Sequence, residues 1–97
     1  MPRYTDESKD RVRQAADIVD LVSARTDLRR AGPGRFMGLC PFHEERTPSF
    51  SVNADEGLYH CFGCGAGGDV FSFVMETEGL DFVGALESLA QRYGVEL

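Results

Sequence analysis

Hydrophobic residues in the first quarter of the chain recur three or four positions apart, which is the spacing of one face of a helix. Thr5 or Asp6 can cap this segment, and Asp17 interrupts it as a kink or as a second cap. We therefore predict helical structure over residues 6–25, as one helix or as two. The positions that define the apolar face are Val12, Ala15, Ala16, Val19 and Val22.

The last part of the chain shows a helical pattern twice, each time between residues that favour helix ends. Asp69 precedes a first apolar stretch that Gly79 should end. Asp81 precedes a second stretch, which Gly94 should end. The pattern predicts two scaffold helices over residues 69–93.

The middle of the chain has the shorter apolar segments that are typical of strands. Residues 28–31 and 35–39 flank Gly32-Pro33-Gly34, which predicts a hairpin. Residues 49–53 alternate between apolar and polar, and a turn over residues 55–57 leads into a further strand over 58–62. We expect a small antiparallel sheet.

All three cysteines and one of the two histidines lie in two short clusters, Cys40-Pro41-Phe42-His43 and Cys61-Phe62-Gly63-Cys64. Two residues separate the candidate ligands in each cluster, so a tight turn can point both donor atoms at one metal ion. Three thiolates and one imidazole fill four positions and leave none open. They favour one structural Zn²⁺ over a catalytic one.

The fold class that follows is α+β, a zinc ribbon with helices before and after it. The ribbon is expected over residues 27–68, within a single domain that spans residues 1–97. Metal binding should contribute about 10 kcal/mol, which is comparable to the whole stability of a domain of this size.

Two other interpretations of the clusters are less well supported by the sequence. His60 neighbours Cys61 on a predicted strand and should therefore point to the opposite face, away from the metal. The His-x-Glu element of His43 and Glu45, together with Cys61 and Cys64, also occurs in zinc nucleobase deaminases. His60 stands where that signature has proline, and Cys40 is available to close the coordination sphere.

The distribution of charge indicates where a polyanion could bind. The net charge of −6 argues against a uniformly basic surface. Residues 1–46 hold nine basic and eight acidic side chains, whereas residues 47–97 hold one basic and eight acidic. Arginine suits phosphates and base edges. The candidate contacts for nucleic acid are Arg29, Arg30, Arg35 and Arg46.

Aromatic residues are interleaved with these arginines on the predicted strands, as single-stranded nucleic acid requires for base stacking. Any one ring is more often part of the core. We take Phe50 and Tyr59 as the stacking candidates.

The compartment follows from the cysteines and from the start of the chain. Three cysteines used as ligands fit a reducing environment. The first twenty residues carry many charges and no apolar stretch of signal-peptide type. We expect a soluble, cytoplasmic protein without a membrane partner.

Residues 36–52, FMGLCPFHEERTPSFSV, and residues 60–68, HCFGCGAGG, resemble the N-terminal zinc-binding domain of bacterial DnaG-type DNA primases. The similarity extends to Asp17-Ile18-Val19-Asp20 and to the closing helices, and so covers nearly the whole chain. It implies that Cys40, His43, Cys61 and Cys64 are the zinc ligands. It also implies that the sheet engages single-stranded DNA template and regulates the initiation of RNA primer synthesis at the replication fork.

In that family a DNA-directed RNA polymerase module with Mg²⁺ follows this domain, and then a module that binds the replicative helicase. Neither is expected in this chain, so the parent protein would be the enzyme, a nucleotidyltransferase. The alternative function is a zinc-stabilised docking module that contacts the polymerase domain, of its own or a neighbouring chain, or the helicase.

Overall fold

The computed structural model describes residues 4–44 and 46–97. Its helices are α1 (Asp6–Ala15), α2 (Ile18–Ser23), α3 (Val70–Glu78) and α4 (Phe82–Tyr93). Its strands are β1 (Leu28–Gly32), β2 (Arg35–Gly38), β3 (Phe50–Asn53), β4 (Leu58–Cys61) and β5 (Gly67–Gly68). The predicted α+β class is confirmed.

Side-chain caps set the starts of three helices. Thr5 Oγ1 accepts a hydrogen bond of 3.0 Å from Ser8 N at the start of α1. Asp17 Oδ1 accepts from Val19 N and Asp20 N at 3.0 and 3.2 Å, so it starts a second helix where α1 ends. Asp81 Oδ1 accepts from Gly84 N at 2.7 Å and caps α4. The first helical segment is therefore two helices.

Glycine ends both C-terminal helices at the predicted positions. Gly79 follows α3 with a φ of 66°, and Gly94 follows α4 with a φ of 68°. This left-handed conformation lets the next residue bond back to the helix, as Val95 N does to Ala90 O at 2.8 Å.

The five strands form one antiparallel sheet in the order β1-β2-β3-β4-β5. The predicted hairpin of β1 and β2 is present, with a bulge between Arg30 and Gly32. β5 was not predicted, because two glycines carry no hydrophobic pattern. It pairs Gly67 with His60 and Gly68 with Tyr59.

Alternation along the strands separates a buried side of the sheet from an accessible one. Phe50, Val52, Tyr59 and Cys61 are buried. Their neighbours point the other way, and Arg29, Met37, Ser51 and His60 form one row of register partners across four strands. We call the accessible side the open face. It consists of Arg29, Arg35, Met37, Ser51, Asn53, Leu58 and His60.

The chain divides into two compact units. The ribbon unit is Asp17–Val70, and the helical unit comprises residues 4–16 and 71–97. Within the helical unit α1 packs on α4, the Phe71 and Phe82 rings lie 5.0 Å apart, and Tyr4 Oη donates to Glu87 Oε2 at 2.6 Å. The single domain over residues 1–97 stays a prediction.

Candidate metal centre and open face

The first cluster of ligands lies in the turn that follows β2. Cys40 is 6% exposed, and the backbone N–H of Phe42 donates to its Sγ at 3.3 Å. This contact folds the chain around the sulfur and returns His43 towards Cys40. The Phe42 ring packs 6.1 Å from Phe50 and 6.0 Å from Tyr59, which anchors the turn on the buried side of the sheet.

The second cluster begins with the last residue of β4. Cys61 is fully buried, and Cys64 N donates to its Sγ at 3.5 Å. Gly65 has a φ of 80° and donates its N–H to Cys61 O at 2.9 Å. That conformation costs a side chain steric energy and glycine none, so the chain can reverse here and place Cys64 beside Cys61.

The two turns bring all four predicted ligands together. The donor atoms of Cys40, His43, Cys61 and Cys64 lie within 4.8 Å of one another. Cys40 Sγ and Cys64 Sγ are 3.8 Å apart. Two sulfurs that share a tetrahedral Zn²⁺ at about 2.3 Å are also about 3.8 Å apart. The three cysteines are free thiols, so the donor set fits zinc, and the site is of the Cys-His-Cys-Cys type.

The environment of the thiols differs between the first and the second cluster. Burial, and then hydrogen bonding with the Cys61 and Cys64 thiols, raises the pKa of Cys40 from 9.0 to about 12. Burial also acts to raise the pKa of Cys61. The hydrogen bond with Ser49 and the backbone N–H groups of Cys64 and Gly63 outweigh it and lower that pKa to about 7. A metal ion therefore has to displace the proton of Cys40.

His60 lies outside the cluster, as its strand position predicted. It is exposed on the open face, and its ring meets Phe62 edge to face at 4.8 Å. Cys40 belongs to the cluster, which closes the position that a deaminase would need for water. Glu45, the proton shuttle of that alternative, lies outside the described residues.

The predicted arginines do not share one surface. Arg29 and Arg35 are exposed on the open face. Arg30 follows Arg29 in β1 and therefore points to the other side, where its Nε donates to Gly32 O at 3.4 Å. Arg46 is exposed in the loop beside the first cluster, where it lines a cavity with Phe42 and His43.

The predicted stacking residues are buried, which revises that expectation. Phe50 is 0% and Tyr59 4% exposed, and their rings stack on each other at 5.4 Å. Neither ring has a face left for a base. Among the described residues Phe62 has an exposed ring, at 72%. Its position could have been found from strand alternation, because Cys61 must point to the buried metal and Phe62 follows it.

The chain matches the CHC2 zinc finger family over residues 4–97. It is 48% identical to the DNA primase of Geobacillus stearothermophilus over 95 residues, which are 98% of this chain and 16% of that protein. It is 54% identical to the DNA primase of Helicobacter pylori strain J99 over 90 residues, which are 93% of this chain and 16% of that protein.

Among solved structures, the chain resembles the crystal structure of the Aquifex aeolicus primase zinc-binding and RNA polymerase domains. The TM-score is 0.84 at 40% identity, and the match covers 93% of this chain and 22% of that one. The chain thus spans about one sixth of the length of the primases that it matches. In the part that the structure describes, no helix is both long and apolar enough for a bilayer.

Proposed function

Because this chain belongs to the CHC2 zinc finger family, we propose that it is the template-recognition domain of a bacterial DNA primase. It holds single-stranded DNA and regulates where the RNA polymerase module starts a primer. The observation that carries the proposal is an exposed ring, Phe62, which contacts His60 of the open face, where Arg29 and Arg35 are also exposed. Rings that stack on bases, beside guanidinium groups that hold phosphates, are what single strands require.

Cys40, His43, Cys61 and Cys64 hold one structural zinc in this proposal. The ion supplies no reaction chemistry, because four protein ligands fill its coordination sphere. It fixes both turns, and with them the backbone that carries Phe62. Phe62 N donates to Ser49 O at 2.9 Å, which joins the second turn to the start of β3.

The charge pattern supports a narrow contact over a broad one. The whole chain carries −6, and eight of its acidic residues lie beyond residue 46 with only Arg92 to oppose them. Binding should therefore depend on a few arginines and on stacking. Arg29 and Arg35 come from β1 and β2, whereas His60 and Phe62 come from β4 and the turn that follows it. A DNA single strand that contacts all four would therefore cross the sheet.

The remaining functions belong to the parent protein and are proposed with it. They are template-directed RNA synthesis by a polymerase module that uses Mg²⁺, in the same chain or a neighbouring one, and attachment to the replicative helicase. This chain spans about 16% of the primases that it matches, and we expect that it makes no primer by itself.

The first test measures binding of a short, fluorescently labelled DNA single strand by anisotropy as a function of salt. Arg29→Ala and Arg35→Ala should each lower the affinity and reduce the slope of log K against log salt by about 0.7 per lost phosphate contact. Arg30→Ala removes the same charge from the opposite side of the sheet and is the matched control. Equal losses in all three variants would point to non-specific attraction and refute the open face as the site.

Phe62→Ala tests stacking separately. We expect a loss of about 1–3 kcal/mol in binding, with little change in the salt slope. Leu80→Ala removes an exposed apolar side chain that is not part of the open face and should leave affinity unchanged. Unchanged DNA binding in every variant, with lost binding to the purified polymerase domain, would favour the docking function.

A further inference from the structure

Ser49 lies between the two clusters without belonging to either. It directly precedes β3, and its Oγ is 3.4 Å from Cys61 Sγ. Its backbone oxygen accepts from Phe62 N at 2.9 Å. Ser49 therefore contacts both the sulfur of Cys61, a metal ligand, and the backbone of Phe62, the residue after Cys61.

The direction of the hydroxyl contact follows from the chemistry of the ligand. Either atom could donate between a serine and a thiol, but a cysteine that binds zinc is a thiolate and has no proton to give. In the metal-loaded site Ser49 Oγ–H must therefore donate to Cys61 Sγ. Hydrogen bonds to ionised acceptors are stronger than those between neutral groups.

The space around Ser49 shows that its hydroxyl is closely packed within the site. A Cβ atom added to Gly63 would lie 2.9 Å from Ser49 Oγ and 3.1 Å from His43 Nε2. Gly63, Ser49 and His43 therefore meet at contact distance, on the side of the cluster where Cys61 is fully buried.

We propose that Ser49 is a positioning residue of the metal centre, whose hydroxyl orients the Cys61 thiolate and stabilises its negative charge. The contact fixes one sulfur before the ion binds and offsets the cost of burying that sulfur as an anion. Partners of this kind typically contribute a factor of about 10 to 100 in metal affinity.

The experiment compares Ser49→Thr with Ser49→Val in the whole chain. The two side chains have nearly the same shape and differ in the hydroxyl. Zinc affinity is measured at fixed pH by competition with a chromophoric chelator, and the sulfur-to-metal charge-transfer band is recorded after substitution with Co²⁺. Ser51→Ala is the control, because Ser51 lies on the open face beside His60.

We expect Ser49→Val to bind zinc about 10- to 100-fold more weakly than Ser49→Thr. Its charge-transfer band should move to lower energy, because a thiolate without the hydrogen bond is more electron-rich. Ser51→Ala should match the unaltered chain. If Ser49→Val and Ser49→Thr agree in both affinity and spectrum, the hydroxyl has no such role and the proposal fails. If the role of Ser49 is purely steric, zinc affinity should change by the same factor in Ser49→Val and Ser49→Thr.

Discussion

In the helical unit the largest buried side chains are hydrocarbon. Phe71, Phe73, Leu86 and Leu89 are each 2% exposed or less. In the ribbon unit two of the buried residues are cysteines, and no strand exceeds five residues. Burial of apolar area stabilises the helical unit directly. Cysteine aside, seven of the 53 described residues of the ribbon unit are buried hydrophobic residues, against eight of 40 in the helical unit. The stability of the ribbon unit should therefore depend on the ion that joins its two turns.

Removal of a metal ligand should separate the two units most clearly. Cys61→Ser should cost the ribbon unit about 10 kcal/mol, the scale of structural zinc binding, because the buried sulfur is lost from the site. Amide hydrogen exchange, followed by mass spectrometry, should rise most in β3 and β4 and less in α4. Treatment of the unaltered chain with a chelator should reproduce the pattern, and added zinc should reverse it. Uniform exchange in both units would contradict the distinction.

The corresponding change in the helical unit removes a side chain from its hydrophobic core. Leu86→Ala should lower the free energy of unfolding by about 2–5 kcal/mol, because Leu86 is fully buried and leaves a cavity. Urea denaturation measures the loss. Folded protein should still bind one zinc. Leu97→Ala is the control, since Leu97 is 41% exposed and its loss should cost less than about 0.5 kcal/mol. Loss of zinc binding in folded Leu86→Ala would show that the units do not differ in this way.

Much of both units could be predicted from sequence, for different reasons. In the helical unit Asp81 and Gly94 are local signals, and each acts within one helical turn of its own position. In the ribbon unit the ligand spacing of Cys40 with His43, and of Cys61 with Cys64, carried the prediction, because it limits the backbone to tight turns.

The open face was harder to predict because it depends on pairing between strands. Adjacency in sequence groups Arg29 with Arg30, but alternation places them on opposite sides of the sheet. Residue type makes Phe50 and Tyr59 stacking candidates, yet strand register stacks them on each other in the core. Residue type could not separate these rings from Phe62. Alternation from the buried Cys61 separates Tyr59 from Phe62, and the strand register adds the pairing of Phe50 with Cys61.

A smaller loss of zinc affinity is expected from a substitution beside the ligands in the ribbon unit. Gly63→Ala should weaken zinc binding by about 1–3 kcal/mol, because its Cβ would be 2.9 Å from Ser49 Oγ and must displace it or His43. Gly32→Ala is the control, since nothing lies within 4 Å of its Cβ position and its φ is not positive. Chelator competition measures both. Equal zinc affinity in the two variants would mean that the packing around His43 has room to adjust.

The smallest expected effect is a bend in the pH dependence of zinc affinity. Each proton displaced by the metal lowers the apparent affinity about tenfold for each unit that the pH falls. Cys40, with a pKa of about 12, holds its proton between pH 6 and 8 and contributes throughout that range. Cys61, with a pKa of about 7, contributes mainly below pH 7. The loss of affinity should therefore steepen as the pH falls through 7.

The helical unit contains none of the zinc ligands, so its stability should not change in this way near pH 7. It therefore serves as the reference for the ribbon unit. In that unit the hydrogen bond to Glu87 raises the pKa of Tyr4, which moves its titration further from this pH range. Zinc affinity is measured by chelator competition, and amide hydrogen exchange in α4 is measured in the same series of buffers. Cys40→Ser should make the slope above pH 7 shallower by about one proton, because the proton that the metal displaces there is gone. An unchanged slope in that variant would exclude Cys40 from the ligand set, while the bend that Cys61 produces near pH 7 should persist in either case.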